Sequence, residues 1–245
     1  MKVSIITVCY NSARTLQETI ESVLSQTHPD IEYIVVDGGS TDETPTIIET
    51  YRNRIARVIS EPDKGLYDAM NKGIAAASGE WVGILNSDDI FAHENVIKEI
   101  LNTLNPSTEA VCTDVHIFKN TPQNIVRRYR CTRWKPWMFR IGHQPPHPGF
   151  FVKKSCYERY GTFDLQFKRA ADFELLLRFI AVHKINVKFL PYTSVLMRSG
   201  GSSQQGLKAI SEANREDHQA LRKHGYFSAV PLIWCKYFLK IFQWM

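Results

Sequence analysis

Two rhythms of apolar residues alternate along the first part of the chain. Short runs rich in β-branched and aliphatic residues, at 3–8, 31–36, 57–59 and 81–85, predict strands. Between them, apolar residues recur three and four apart. Leu16, Ile20, Val23 and Leu24 predict a helix that Ser12 can cap and that the His28-Pro29-Asp30 turn ends. A second helix follows the Asp37-Gly38-Gly39-Ser40 loop, capped by Thr41 or Asp42. A third spans about 66–77 and stops at Ser78-Gly79. This regular alternation of strand and helix predicts an α/β fold, a parallel sheet with helices on its faces. Ligands of such sheets sit at the carboxyl ends of the strands. Those ends carry Asn11, Asp37, Glu61 with Asp63, and Asp88 with Asp89. Any one of these alone reads as a loop cap. Four in succession on one rim point to a site.

After Asp89 the rhythm changes. A helix is expected at 93–104, strands at 110–118 and 125–129 as an antiparallel pair, and a further strand at 149–152. Phe173, Leu176, Leu177 and Ile180 predict an amphipathic helix over 170–182. Strands at 187–190 and 194–197 and a mixed-charge helix at 205–224 follow. In the tail, 231–245, Lys236, Lys240 and Gln243 form one narrow polar stripe on an otherwise apolar helix with Trp234 and Trp244. The tail is too short to span a bilayer, which takes roughly 18 or more apolar residues. It lies in a membrane interface, the favoured reading, or docks on protein.

The chain has 245 residues, 44% of them hydrophobic, enough for one large domain with an appendage. The opening MKVSIITVCYN reads as a strand, not a signal peptide. The five cysteines are scattered with no CxxC pair, which fits reduced thiols and gives no zinc site. Charge is uneven. Residues 1–114 hold 8 Lys and Arg against 18 Asp and Glu, whereas 115–157 hold 9 basic residues and no acid. The stretch RRYRCTRWKPWMFR at 127–140 mixes cations with aromatic rings. No nucleic-acid-binding signature accompanies it, so nucleic acid is not an expected partner. A membrane surface or a lipid-diphosphate acceptor fits better.

The chemistry centres on GEWVGILNSDDIF, 79–91, where an apolar strand runs into two adjacent carboxylates. Such neighbours repel, and each prefers water. A hard cation, Mg2+ or Mn2+, would hold them together when a substrate diphosphate supplies its remaining ligands. An Asx turn opening the next helix is the other reading. The blocks VSIITVCYNS (3–12), SVLSQTHPDIEYIVVDGGSTDET (22–44), EPDKGLYDAMNKGIAAASGEWVGILNSDD (61–89) and KRAADFELLLR (168–178) resemble, in this order, the family 2 glycosyltransferases.

The resemblance implies a GT-A, Rossmann-like, mostly parallel sheet flanked by helices, with a C-terminal docking extension. Residues 1–225 would form the transferase domain, 1–114 the nucleotide-sugar half and 115–225 the acceptor half, with 226–245 an amphipathic helix. It implies a nucleotide diphosphate sugar donor, UDP by default, and inversion at the anomeric carbon. NSDD resembles the family's DxD-type element: Asp89 would ligate Mn2+ or Mg2+, and Asp88 would contact the ribose or the metal shell. Asp37 matches a nucleoside contact, a turn-stabilising role being equally open. Many relatives carry a second Asp at the position of Gly38. Tyr10 resembles a residue bordering the base, unless it is a core Tyr, and Asn11 orders its loop. Lys64 is placed near the diphosphate, and Lys72 is a solvated helix residue. Asn71 resembles the Asn of an element preceding the DxD loop. Asp172 aligns with the carboxylate expected to act as base, although Ala171 replaces a common Glu. Glu174 is the reserve base, expected to face solvent. His147 would touch acceptor or metal, or be structural. Arg198 or Ser202, in a loop at 197–204, would meet the diphosphate.

The setting so implied is bacterial surface-polysaccharide assembly on glycan or polyprenyl-diphosphate-linked acceptors, with a cytoplasmic protein peripheral on the inner membrane face through 127–140 and 231–245. Two rivals stand beside it. A sugar nucleotidyltransferase would need a Gly-rich loop after the first strand, where the chain has VCYNSARTL. A module that binds nucleotide sugar without chemistry would not need Asp89 and Asp172.

Overall fold

The computed structural model describes residues 1–200 and 206–237. Strands β1 (Val3–Cys9), β2 (Ile31–Asp37), β3 (Arg57–Ser60) and β4 (Trp81–Ile84) pair in parallel in the order β3-β2-β1-β4. Helices α1 (Leu16–Leu24), α2 (Thr44–Thr50) and α3 (Leu66–Ala76) connect them. Alternation along β1 feeds two cores. Ile6 and Val8 pack with Ile34, Val36, Met70 and Ile74 on one face, and Val3 and Ile5 pack with Val35, Leu16 and Ile20 on the other. Burial on both faces is why these strands read as unbroken apolar runs. Helix α3 lies close against β1: a Cβ on Gly73 would fall 2.4 Å from Ile6 Cγ2, so glycine permits the approach.

The chain continues through β5 (Ile90–Phe91), α4 (Val96–Asn102), β6 (Ala110–Lys119), β7 (Thr121–Tyr129), β8 (Phe150–Lys153), α5 (Lys154–Tyr160), α6 (Ala171–Leu176), β9 (Val187–Arg198), α7 (Gly206–Lys223) and α8 (Val230–Trp234). These strands extend the sheet as β4-β8-β6-β9-β5, with β7 paired to β6. Strand β8 runs antiparallel to β4 and β6, while β9 runs parallel to β6. The sheet is therefore mostly parallel, with β5, β7 and β8 reversed. Because β9 shares the direction of β1 and β4, its carboxyl end at Arg198 reaches the same rim.

Several boundaries differ from expectation. The two strands read at 187–190 and 194–197 are one strand. Pro191 interrupts the pattern, and the strand accommodates it where the pairing with β6 shifts register about Asp114. The helix read at 93–104 shrinks to α4, because Ile90 and Phe91 pair with β9. The helix read at 170–182 is α-helical only to Leu176. The turn Leu177–Val182 widens to a π-helix, closed by the His183 N–H on the Arg178 carbonyl at 2.9 Å. In the tail, Ile233 is buried and Lys236 turns inward to Asp217 at 2.5 Å. Lys240, Gln243 and Trp244 lie outside the described residues.

Glu174 does not face solvent. It is fully buried and accepts hydrogen bonds from Arg178 Nε (2.9 Å) and from His224 Nε2, just past the end of α7 (2.7 Å). Arg178 also caps the carbonyls of Gly161 (2.9 Å) and Thr162 (2.7 Å). This cluster ties α6 to α7 and to the loop after α5. Burial by itself would raise the Glu174 carboxyl, but the bonds from His224 and Arg178 outweigh it and lower it from 4.5 to about 2. Its contribution to stability is thus complete above about 4.5 and is lost as pH falls toward about 2. Glu174→Gln is expected to cost about 3–5 kcal/mol at neutral pH. In urea unfolding, the gap between parent and variant should close as pH falls through that window.

Candidate active site

A cleft of about 590 Å³ opens at the carboxyl rim of the sheet. Its acidic end is a turn after β4. The Asp89 N–H donates to the Asn86 carbonyl at 3.0 Å, which folds 86–89 back across the rim. The Asp89 side chain is 1% exposed. It accepts from Asn86 Nδ2 (3.2 Å) and from the backbone N–H of Arg198 (3.2 Å), and its carbonyl accepts from Thr19 Oγ1 (2.8 Å). Burial and the neighbouring Asp88 charge push the Asp89 carboxyl well above the usual range, against the pull of Asn86 and Arg198. Burial also raises Asp88, which is half-buried in the cleft, with Arg198 opposing. Asn86 Oδ1 is buried without a hydrogen-bond partner. Two destabilised carboxylates and an unpartnered amide oxygen form a hard-oxygen donor set that fits a divalent cation. Among the described residues, no three His, Cys, Asp or Glu side chains gather to hold a metal by themselves. A cation here would need oxygens from a ligand.

The other end of the cleft is built from the ends of β1, β2 and β3. Tyr10 is 61% exposed and lines the cleft, so it is not a core residue. Asn11 adopts φ 49° and accepts the Thr41 N–H at 2.9 Å, ordering its loop as expected. Ser12 Oγ meets Ser87 Oγ at 2.8 Å and joins the ends of β1 and β4. Asp37 is buried, and its carboxylate accepts from Ser40 N (3.1 Å), Ser40 Oγ (2.5 Å) and Ser60 Oγ (2.8 Å). These bonds serve the turn; the residue does not line the cleft. Beside it, a Cβ on Gly38 would lie 2.2 Å from Asp63 Oδ2. The carboxylate of Asp63 thus occupies the space that a side chain at 38 would need, and Asp63 lines the cleft. Lys64 is exposed between the cleft residues Asp63 and Gly65. Lys72 is not merely solvated: it binds Glu61 (2.9 Å) and the Pro62 carbonyl (2.8 Å), bracing that loop.

Asn71 lies away from the cleft. Its amide clamps the Phe163 backbone, accepting the N–H and donating to the carbonyl, each at 2.9 Å. That clamp fixes the segment leading to Asp172 against α3. Asp172, in the first turn of α6, accepts from Tyr67 Oη (3.0 Å) and Gln144 Nε2 (2.7 Å). Gln144 Oε1 is buried without a hydrogen-bond partner. His147 packs edge-on against Phe163 at 5.5 Å. Burial holds its imidazole below the ordinary 6.5, with Asp172 partly opposing. Helix α3 separates the two centres: Gly65, Leu66 and Ala69 face the cleft, while Tyr67 holds Asp172. Arg198 lines the cleft, with its guanidinium on Glu18 (2.6 Å) and over the Phe118 ring (4.8 Å). Ser202 lies outside the described residues. Sequence reasoning missed Tyr67, Gln144 and Ser87 as site residues. Tyr67 and Ser87 stand in a quoted motif and Gln144 outside them, and only the tertiary contacts distinguish the three from their neighbours.

Residues 4–156 match the model of Glycosyl transferase family 2, a match that ends before Asp172. An uncharacterized glycosyltransferase of Mycobacterium tuberculosis is 36% identical over 181 residues, 72% of this chain and 68% of that one. A PGL/p-HBAD biosynthesis glycosyltransferase of Mycobacterium bovis is 27% identical over 180 residues, covering 71% and 68%. S. aureus TarS 1-349 in complex with UDP-GlcNAc aligns over 90% of this chain and 66% of that one, with a TM-score of 0.70 and 18% identity. A mannosyltransferase from Pyrobaculum calidifontis in complex with GDP-Man and Mn2+ aligns over 91% and 63%, with a TM-score of 0.66 and 21% identity. These two solved structures speak for the fold alone, and the chain spans about two thirds of their length. The family match covers more than half of the chain and includes the rim that carries Asp88 and Asp89: the chain belongs to glycosyl transferase family 2.

Proposed function

We propose that this glycosyltransferase moves a sugar, with inversion, from a nucleotide diphosphate sugar to a hydroxyl of a glycan or polyprenyl-diphosphate-linked acceptor. UDP is the first nucleotide to test. One observation carries the reading: two carboxylate centres flank α3, an adjacent pair in the cleft and a single one beyond Tyr67. On one side, burial raises both Asp88 and Asp89, and the Asp88 charge raises Asp89 further. On the other, Asp172 is held by two hydrogen-bond donors. An adjacent carboxylate pair suits a cation, and a single carboxylate with free lone pairs suits a proton acceptor.

In this reading Asp89, with Asp88 in support, would hold Mn2+ or Mg2+. When bound, the cation would offset negative charge on the leaving nucleotide diphosphate. Tyr10 borders the base, Lys64 and Arg198 lie toward the diphosphate, and Asp37 and Asn71 act by fixing the loops around the donor. Asp172 accepts the acceptor's proton as its oxygen attacks. Tyr67 and Gln144 each occupy one lone-pair direction of that carboxylate and so aim the remaining ones. Residues 1–114 serve the donor and 115–225 the acceptor. In support, the cleft is lined from the first 89 residues apart from Met197 and Arg198, whereas Asp172 and Gln144 come from the second half.

The 127–140 stretch and the tail form the membrane-facing side, at the inner face of the cytoplasmic membrane in surface-polysaccharide assembly. Among the described residues, no helix is long and apolar enough to cross a membrane. Lys236 and Tyr237 dock the tail on α7 through Asp217 and Asn214. Trp137, Phe227, Leu232 and Trp234 are left exposed, as an interfacial contact requires.

Two outcomes test this function. With a donor panel, Mn2+ and a membrane-lipid acceptor extract, Asp89→Ala is expected to lower nucleotide release by about a hundredfold or more. Asp172→Asn should lower it by about 10²–10⁴ while leaving donor binding intact, since Gln144 can present its free Oε1 to the new amide. Parent-level turnover in both variants would reject the assignments. Gly38→Asp, which restores the residue common in relatives, is expected to displace Asp63 and cost about 1–3 kcal/mol. Combining it with Asp63→Gly should recover both thermal stability and nucleotide binding.

A further inference from the structure

A second groove, of about 440 Å³, lies on the far part of the sheet, and the mechanism above does not use it. Three arginines line it. Arg128 stands on β7 and Arg130 just past its end, where the backbone is still extended, so the two-residue spacing carries both side chains to one side. Arg133 comes from the single 3-10 turn Cys131–Arg133. Arg128 pairs in register with His116 of β6, which brings both side chains to the same face. His116 Nε2 lies 3.1 Å from Thr193 Oγ1 of β9. Two strands, a third strand's hydroxyl and a turn thus converge on one concave surface.

The charge of this groove is not balanced from within. Among the described residues, none of the ion pairs involves Arg128, Arg130 or Arg133. The single carboxylate in the groove, Asp114, accepts the Cys131 N–H at 2.8 Å and so holds the turn that bears Arg133. No acidic residue occurs in 115–157. Three guanidiniums around one hollow repel each other, and an anion of matching geometry relieves that repulsion. Planar guanidinium forks match the oxygens of a phosphate, and a neighbouring hydroxyl adds another donor.

We infer that this groove, through Arg128, Arg130 and Arg133 with His116 and Thr193, is a binding site for a phosphate-class anion separate from the donor cleft. Its position gives the anion a use. His116 lies two residues, roughly 7 Å, along β6 from Phe118, whose ring carries the Arg198 guanidinium. A phosphate seated there would stand beside the donor rim, where a phosphate-bearing acceptor has to approach. That use rests on the proposed glycosyl transfer; the anion site does not. The phosphate has two possible sources: a soluble acceptor phosphate or an anionic lipid headgroup.

The test uses the full chain in low salt with EDTA, and no turnover. Inorganic pyrophosphate binding is measured by calorimetry. Vesicles of phosphatidylcholine alone, and of equal parts phosphatidylcholine and phosphatidylglycerol, are tested by co-sedimentation. Arg128→Gln with Arg130→Gln is expected to weaken the relevant interaction about tenfold or more, while Lys98→Gln, exposed on α4 away from the groove and from 127–140, should not. Loss of pyrophosphate binding identifies a soluble phosphate. Loss confined to the phosphatidylglycerol vesicles identifies a headgroup. A parent that binds neither probe, or a double variant that binds both like the parent, overturns the site. UDP binding with Mn2+, measured separately, should persist in the double variant. Its absence from the parent would count against the donor reading and leave the groove result standing.

Discussion

The buried carboxylate of Asp89 is the junction on which the rim depends. One oxygen accepts from the side chain of Asn86 and the other from the backbone of Arg198, while its carbonyl accepts from Thr19. Three elements, the turn after β4, the end of β9 and α1, therefore meet at one residue. A buried charge beside a second carboxylate is costly unless it is paired. Nothing in α/β packing requires that arrangement, and an apolar residue would pack there at lower cost. Local cost at a strand end with ligand access is what a functional site looks like in an otherwise consistent fold.

Sheet direction explains why distant parts of the sequence share this rim. The first four strands are parallel and deliver their carboxyl ends together. β9 runs the same way, so Arg198 arrives beside Asp89 from more than a hundred residues later. Helix α3 then acts as a partition with two working sides. Asn71 anchors the Phe163 segment, Tyr67 holds Asp172, and the first turn borders the cleft. Below α6, Glu174 with Arg178 and His224 fixes the helix that carries Asp172. Positioning of that carboxylate is therefore spread over four segments, none of which is informative when read alone.

Much of the fold was legible where burial is simple. Strands buried on both faces appear as apolar runs, and helices between them show their stripe. The second half was harder because its signals are local exceptions. Pro191 splits a strand that tertiary pairing joins, and Glu174 looks solvent-facing until His224 reaches it from the turn after α7. At the site, the carboxylates could be named from their place at strand ends, but their surroundings could not. That Asp37 is consumed by Ser40 and Ser60, and that Asp63 fills the space beside Gly38, are facts of packing between loops. Sequence order carries no information about which of two neighbouring carboxylates turns toward a cleft.

Charge distribution gives the two halves different problems. The cleft at the carboxyl rim is lined by Asp42, Asp63, Asp88 and Asp89 against Arg14 and Arg198. An anionic diphosphate entering that field is opposed unless it arrives with a cation, which is the electrostatic reason a metal suits this rim. The groove beside β7 has the reverse character, with three guanidiniums against one engaged carboxylate. An anion there needs no metal. On the proposed reading, one chain would handle two phosphate-bearing substrates by opposite means. The donor's charge would be met by a cation that binds with it, and the acceptor's charge by arginines built into the sheet. This separation would keep the acceptor's phosphate from competing for the metal site, because Asp88 and Asp89 repel any anion that lacks its own cation.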